Sequence, residues 1–429
     1  MRNAAFTIVA RNYLAFACTL ADSFKSSGSA GDFFIYVIDG LDDLPEEIKK
    51  VYPLREINAK IVPDIRSMSF RYNVTEFSTA VKPFVFHHLF EEEEYDKCIY
   101  FDPDMYLYQP ADSIFQWLDD KSCILTPHVI TPQVEFTGNM PDTEFLYAGI
   151  YNLGFIALRK GGIAGHLLLW WMNRLRHLCY GERLEALHVD QKWMDFAPAF
   201  FGEDVLSSRH PGCNIAYWNI HERLLTEQDG TLFASSIDSA DEKFPVIFLH
   251  LSGVNPLDIY HNKQCKTLDI SKYPVWEKHI AKYAAEVLAH QHEKLIKTRY
   301  GYAAFPNGDP ILSIHRRLYR RLTELGLTEQ LSDPYDTKSG SYYSKLKRYK
   351  LLVTATPAGD VKENTNPGNT GNLKKMIFLL RLVKRLMGIR KYQVFMKFLQ
   401  KIMAAENHLF LLREYEDELV DYYSKKYLT

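Results

Sequence analysis

Paired cysteines, phosphate-binding loops and long apolar runs are all missing from this chain. Its six cysteines, Cys18, Cys98, Cys123, Cys179, Cys213 and Cys265, are scattered over 429 residues, with no CxxC pair and no Cys/His cluster at zinc spacing. That argues against a disulfide framework or a structural zinc site and leaves reduced, mostly core thiols. No stretch approaches the ~18 uninterrupted apolar residues of a spanning helix. Near the start, Arg11-Asn12 splits the apolar run, so no secretory signal core is expected and the expected location is cytoplasmic. A Gly-rich basic loop is missing after the first apolar segment, where Arg11-Asn12-Tyr13 stands instead, which disfavours a triphosphate cradle. Internal repeats and nucleic-acid signature motifs are also lacking, so nucleic acid is a disfavoured partner.

One further absence is local. Between Asn364 and Ala405 there is no acidic residue, while Lys374, Lys375, Arg381, Lys384, Arg385, Arg390, Lys391, Lys397 and Lys401 are set among Ile, Leu, Phe and Met. The net charge of -2 hides this asymmetry: from residue 269 onward there are 28 Lys+Arg against 17 Asp+Glu, and the front of the chain is acidic. Met376, Leu379, Leu380, Val383 and Leu386 recur at near-helical spacing. The stretch suits an amphipathic helix on an anionic bilayer, and equally a helix packed on the rest of the chain.

With 47% hydrophobic residues the chain can bury a large core, and its 27 Tyr and 26 Phe also suit flat ligands such as bases and sugar rings. Phe6–Ala10 reads as a buried strand followed by a helix over 15–24, and Phe33–Ile38 as a second strand followed by a helix from Pro45. A helix over 79–90 then feeds a strand over 97–101, and further strands are expected within 149–158 and 245–251. Helices are expected over 165–178 and 275–296. This alternation predicts an α/β fold with a mostly parallel central sheet flanked by helices, plus a C-terminal helical extension. The segment 354–372, rich in Asn, Gly, Thr and Pro, reads as a linker or loop.

Asp102-Pro103-Asp104 ends the strand over 97–101, and the apolar Met105-Tyr106-Leu107-Tyr108 follows it. Two carboxylates leaving the carboxyl edge of a sheet stand where open α/β folds bind ligands, and they suit a hard divalent ion completed by water and phosphate. Turns are rich in Asp, so the pair alone reads more readily as an N-capping turn; apolar runs on both sides argue against an exposed turn.

Several motifs then occur in a recognisable order: Ala10-Arg11-Asn12-Tyr13, Ala80-Val81-Lys82-Pro83-Phe84, the Asp pair, Tyr151-Asn152-Leu153-Gly154-Phe155, His188-Val189-Asp190-Gln191, Pro211-Gly212-Cys213-Asn214 and Phe248-Leu249-His250-Leu251-Ser252-Gly253. Over roughly 6–260 the chain resembles bacterial GT-A fold glycosyltransferases, and most of all glycosyltransferase family 8, which includes glycogenin and lipopolysaccharide glycosyltransferases.

The resemblance implies a nucleotide-sugar-binding domain over 1–265; beyond it the helical pattern and basic composition give a helical extension over 266–353 and a basic amphipathic helical tail over 373–429. It implies Asp102, Asp104 and His250 as metal ligands, with Mn²⁺ favoured by the imidazole and Mg²⁺ the alternative. For the donor it implies Ala10, Asn12, Tyr13, Lys82, Asp102, Gly154, Asn214, Gly253 and Asn255. Tyr13 would lie beside the uracil and Lys82 would meet the phosphates. Asp190, Gln191 and Asn152 fall at the catalytic positions, with Asp190 near the anomeric carbon. Where relatives carry a Lys after His-x-x-Gly, this chain has Gly253-Val254-Asn255-Pro256, so Lys263 or Lys266 is the substitute.

The activity so implied is transfer of a hexose from a nucleotide sugar, UDP-hexose foremost, to a glycan or lipid-linked acceptor with retention, in bacterial surface polysaccharide or lipopolysaccharide synthesis. The location would then be cytoplasmic, peripheral on the inner face of the plasma membrane. A nucleotidyltransferase of sugar phosphates and a non-catalytic nucleotide- or nucleic-acid-binding protein are the competing readings.

Overall fold

Five consecutive residues, Lys97–Phe101, are buried, and a strand covered on both faces needs helices above and below it. The computed structural model, which describes residues 1–329, 331, 333–353 and 370–427, supplies that frame. Its first strands are β1 (Asn3–Val9), β2 (Asp32–Val37), β3 (Leu54–Glu56), β4 (Lys97–Phe101), β5 (Met105–Leu107), β6 (Cys123–Pro127) and β7 (Tyr151–Arg159). A seven-stranded sheet runs in the order Val205–Ser207, β6, β7, β4, β1, β2, β3. Every neighbouring pair is parallel except the two made by β7, which runs against β4 and β6. The fold is therefore α/β, with a mostly parallel sheet flanked by helices.

The chain forms two units, one of Met1–Ile65 with Val74–Tyr300 and one of Arg66–Asn73 with Gly301–Thr429. In the first, the expected helix over 15–24 spans Leu14–Ser26 and buries Leu14, Phe16, Leu20 and Phe24. Helix Pro274–Ala289 packs on it through Trp276, Ile280 and Tyr283. The helix expected over 79–90 is two helices, Val74–Ala80 and Lys82–Glu91. Pro83 explains the break, because it has no N–H for a preceding turn and favours a helix start.

A small second sheet decides where the site forms. The strand Phe248–His250 pairs antiparallel with β5, so that His250 stands opposite Met105, the residue after Asp104. Leu251 N donates to Asp104 O at 2.8 Å, and His250 N to Ile215 O at 2.8 Å.

The second unit has its own core, in which Phe70, Leu318, Tyr342, Leu346, Leu409 and Leu412 are buried. Buried Arg316 fastens the 66–73 segment by donating to the carbonyls of Ser69, Phe70 and Tyr72 at 3.0, 2.8 and 3.0 Å, which satisfies a charge that could not otherwise be buried. Most of the segment expected to be a linker, 354–369, lies outside the described residues. Helix Thr370–Ile402 follows, with a kink at Gly388, whose φ of 72° and ψ of 162° few other residues adopt. Met376, Ile377, Phe378 and Leu379 are all exposed. Among the described residues no helix is long and apolar enough to cross a membrane.

Candidate active site

β4 delivers Asp102 to the carboxyl edge of the sheet, where Asp102 N donates to Gly154 O of β7 at 2.7 Å and Met105 N closes the turn onto Asp102 O at 3.1 Å. Asp102 Oδ1 accepts from Tyr100 at 2.6 Å, which leaves Oδ2 facing the imidazole. His250 Nε2 lies 3.2 Å from Asp104 Oδ1 and 3.8 Å from Asp102 Oδ2. Ligand atoms of these three residues fall within 4.8 Å of one another.

The space between them is kept open by Gly154. A Cβ there would lie 2.5 Å from His250 Cε1, 2.8 Å from Asn152 Oδ1 and 2.8 Å from Asp102 Oδ2. Two carboxylates and an imidazole around a cradle that admits no side chain fit a divalent cation.

Asp102 and Asp104 also line a cleft of about 420 Å³ with Ala10, Asn12 and Tyr13. This size is within the range of small-ligand sites. Ala10 leaves β1 in extended conformation and Arg11–Tyr13 makes a 3-10 turn, pinned where Arg11 N donates to Asp39 Oδ1 at 2.9 Å. The Tyr13 ring stacks on Phe16 with centroids 4.1 Å apart. Burial, together with Asp104 and Asp102, raises the Tyr13 phenol above its usual range, so it stays a neutral donor.

The opposite wall comes from helix Val74–Ala80, whose Thr75, Ser78 and Thr79 were not anticipated. Their i, i+3, i+4 spacing is the signal that a polar helix face could have given. Tyr100 also lines the cleft, and nothing in its apolar strand sets it apart beforehand.

Lys82, expected to face phosphate, is instead 1% exposed. Its Nζ donates to Leu153 O at 2.7 Å and lies 2.8 Å from Asp190 Oδ2 and 3.7 Å from Asp102 Oδ1. Burial opposes the ammonium, but Asp190 and Asp102 outweigh it and hold the Lys82 pKa up. Burial lifts the Asp190 carboxyl to about 6 in spite of Lys82 beside it.

Gln191 is committed to main chain: Oε1 accepts from Leu153 N at 3.1 Å and Nε2 donates to Ala148 O at 3.0 Å. Asn152 and Asn214 stand behind His250, each with Oδ1 at 3.1 Å from Nδ1. Gly253 takes a φ of 73°, and a Cβ there would meet Asn262 Oδ1 at 2.5 Å, so the loop after His250 closes tightly on residues 262–264. Lys263 N donates to Gly253 O at 2.8 Å, which brings that lysine's backbone beside the loop. Asn255 makes a turn in which Asp258 N donates to Asn255 O at 3.0 Å, and it is not among the residues lining the cleft.

No family model matches the chain, and no curated protein matches it in sequence. Solved structures with a similar arrangement include galactosyltransferase LgtC in complex with donor and acceptor sugar analogs, at 15% identity and a TM-score of 0.40, covering 66% of this chain and 95% of that one. The glycosyltransferase GlyE of Streptococcus pneumoniae TIGR4 aligns at 13% identity and a TM-score of 0.36, covering 70% of this chain and 66% of that one. The bifunctional glycosyltransferase WbbM aligns at 13% identity and a TM-score of 0.38, covering 67% of this chain and 51% of that one.

Proposed function

We propose that the protein is a divalent-cation-dependent glycosyltransferase that moves a hexose from a nucleotide sugar, UDP-hexose foremost, to a hydroxyl of a glycan or lipid-linked acceptor. The observation that carries this reading is the convergence of Asp102, Asp104 and His250 around the Gly154 cradle, with both carboxylates lining the cleft that Ala10, Asn12 and Tyr13 share. Asp102, Asp104 and His250 would hold the cation, Mn²⁺ before Mg²⁺. When bound, it supplies Lewis acidity toward a diphosphate leaving group.

The chain's own residues do the rest by positioning and electrostatics. Tyr13 offers an aromatic face and a neutral hydroxyl to the nucleoside. Thr75, Ser78 and Thr79 offer hydroxyls from the facing helix. Lys82 holds Asp190 and the outer oxygen of Asp102 in place, and Asp190 is the carboxylate assigned to the sugar's developing positive charge. In the transfer, the C1–O bond to the diphosphate breaks and a C1–O bond to the acceptor hydroxyl forms on the same face, while the hydroxyl proton passes to the departing diphosphate or to water.

The acidic-free helix Thr370–Ile402, with Phe378, Leu386 and Val394 exposed among its lysines and arginines, supports a place on an anionic membrane surface, where lipid-linked acceptors in surface polysaccharide synthesis are found. The test is a panel of UDP-hexoses incubated with the protein and Mn²⁺. The expected result is UDP release that EDTA abolishes. Pyrophosphate release from UTP and a hexose 1-phosphate would assign a nucleotidyltransferase instead, and turnover in neither assay would remove the enzymatic reading.

A further inference from the structure

The two ring nitrogens of His250 face different chemistry. Nε2 points at the carboxylates of Asp104 and Asp102, at 3.2 and 3.8 Å, while Nδ1 lies 3.1 Å from the amide oxygens of both Asn152 and Asn214. Amide oxygens only accept, so Nδ1 carries a hydrogen, and Nε2 is the nitrogen whose lone pair is left for a cation held with the carboxylates.

The amide orientations are themselves fixed by their neighbours. Asn214 Nδ2 donates to Thr126 Oγ1 at 2.8 Å and to Asn152 Oδ1 at 3.1 Å, so its oxygen must be the atom turned to His250. Asn152 Nδ2 lies 3.3 Å from His128 Nε2. His128 Nδ1 lies 3.2 Å from Ile150 O, a carbonyl that can only accept, so His128 carries its hydrogen on Nδ1 and accepts from Asn152 through Nε2.

The polarity therefore runs unbroken from a main-chain carbonyl to the metal-facing nitrogen. Ile150 O accepts from His128, His128 from Asn152, and Asn152 from His250. Reversing any one link would set donor against donor or acceptor against acceptor.

The backbone keeps this chain in register. Asn214 holds a φ of 53°, a left-handed conformation that asparagine tolerates better than most residues. Asn219 Nδ2 ties that turn down by donating to Asn214 O at 3.0 Å and to His128 O at 2.9 Å. Trp218 packs T-shaped against both imidazoles, with centroids 5.0 Å from His250 and 5.5 Å from His128.

We propose that His128, Asn152 and Asn214 are positioning residues that lock His250 as the Nδ1–H tautomer and so aim the Nε2 lone pair between Asp102 and Asp104. This rests on the cation-site reading above. It adds a buried histidine some 120 residues away in sequence to what the site needs.

The test uses the full chain with Mn²⁺ alone and has two readouts. Long-range ¹H–¹⁵N correlations of histidine-labelled, metal-free protein, with the His250 signals identified by their loss in His250→Ala, report which ring nitrogen is protonated. The expected pattern is a hydrogen on Nδ1, with or without a second one on Nε2 toward the metal-free carboxylate pair, and a His250 bare at Nδ1 overturns the proposal without any variant having to fold.

Mn²⁺ titration followed by the EPR signal of the free ion is the second readout. Asn152→Leu and His128→Phe are expected to weaken binding about 10-fold or more, the usual effect of losing a ligand's hydrogen-bond partner. His128→Gln, whose amide oxygen can still accept from Asn152, should stay within about 3-fold of wild type on the same principle. Wild-type affinity in Asn152→Leu, alongside loss in His250→Ala, also overturns the proposal. Wild-type protein that takes up no Mn²⁺ removes the cation-dependent function, whereas the ring spectrum still decides the tautomer.

Discussion

Lys82 and Asp190, 108 positions apart in the chain, meet at 2.8 Å with both side chains 2% exposed. A buried pair of this kind adds little over an apolar pair, but removing one partner strands the other charge. Lys82 also reaches Asp102, so it links Asp190 to the carboxylate pair at the end of β4. Lys82→Met is therefore expected to cost about 3–5 kcal/mol of stability. The double variant Lys82→Met/Asp190→Leu should cost less than the sum of its two single changes, because no unpaired charge remains. Chemical denaturation of the four proteins measures the coupling; additive losses would mean that the two charges are independent.

The same pair sets a pH dependence. Burial raises the Asp190 carboxyl to about 6 in the folded protein, against an ordinary unfolded value of 3.8. Between those values the folded state binds more protons than the unfolded state, so the contribution of Asp190 to stability is greatest below pH ~4 and is lost as pH rises through about 6. Measured as a difference from Asp190→Asn, which has no such titration, wild-type stability should fall across this window and level off above it. A difference that rises with pH, or stays flat, would show that Lys82 holds Asp190 fully ionised throughout.

Gly154 keeps open the cradle proposed to hold the cation. A single methyl group there collides with His250, Asn152 and Asp102 at 2.5–2.8 Å, and all three belong to packed, hydrogen-bonded elements that cannot retreat cheaply. Gly154→Ala should lower Mn²⁺ affinity by at least about 10-fold, the scale seen when ligand geometry is disturbed. Mn²⁺ titration of the variant checks this, and unchanged affinity would place the cation elsewhere.

What the sequence reveals and what it hides follow from the range of the interactions. The strand 97–101 and its terminal carboxylates were readable locally, because an apolar run bounded by Asp102 has few other conformations. The approach of His250 to Asp104 depends on antiparallel pairing across 146 positions, and only the order of motifs hinted at it. Roles were hardest to read. Lys82 was expected to meet phosphate, and its pairing with Asp190, far along the chain, could not be read locally. The amide of Gln191 turned out to be engaged with Leu153 N and Ala148 O, while His128 carried no signal at all, since a lone histidine after an apolar strand is ordinary.

Helix Thr370–Ile402 yields a final expectation. Deleting it is a poor test, because Leu409, Leu412 and Leu419 beyond it are buried in the core of the second unit. Charge neutralisation in the full chain is cleaner, since Lys374, Lys375, Arg381 and Lys384 are all exposed. Each basic residue near an anionic surface contributes about 1 kcal/mol, so changing all four to Gln should weaken binding to vesicles rich in phosphatidylserine by on the order of 10²–10³-fold. Binding to neutral phosphatidylcholine vesicles should change little, because it depends on the apolar side chains Phe378, Leu386 and Val394, which the substitutions leave in place. Vesicle flotation at low and high salt separates the two contributions: salt should reproduce the effect of the four substitutions by screening the same charges. Equal flotation of the wild-type and substituted proteins with anionic vesicles at low salt would remove the electrostatic role and leave the helix to an apolar partner.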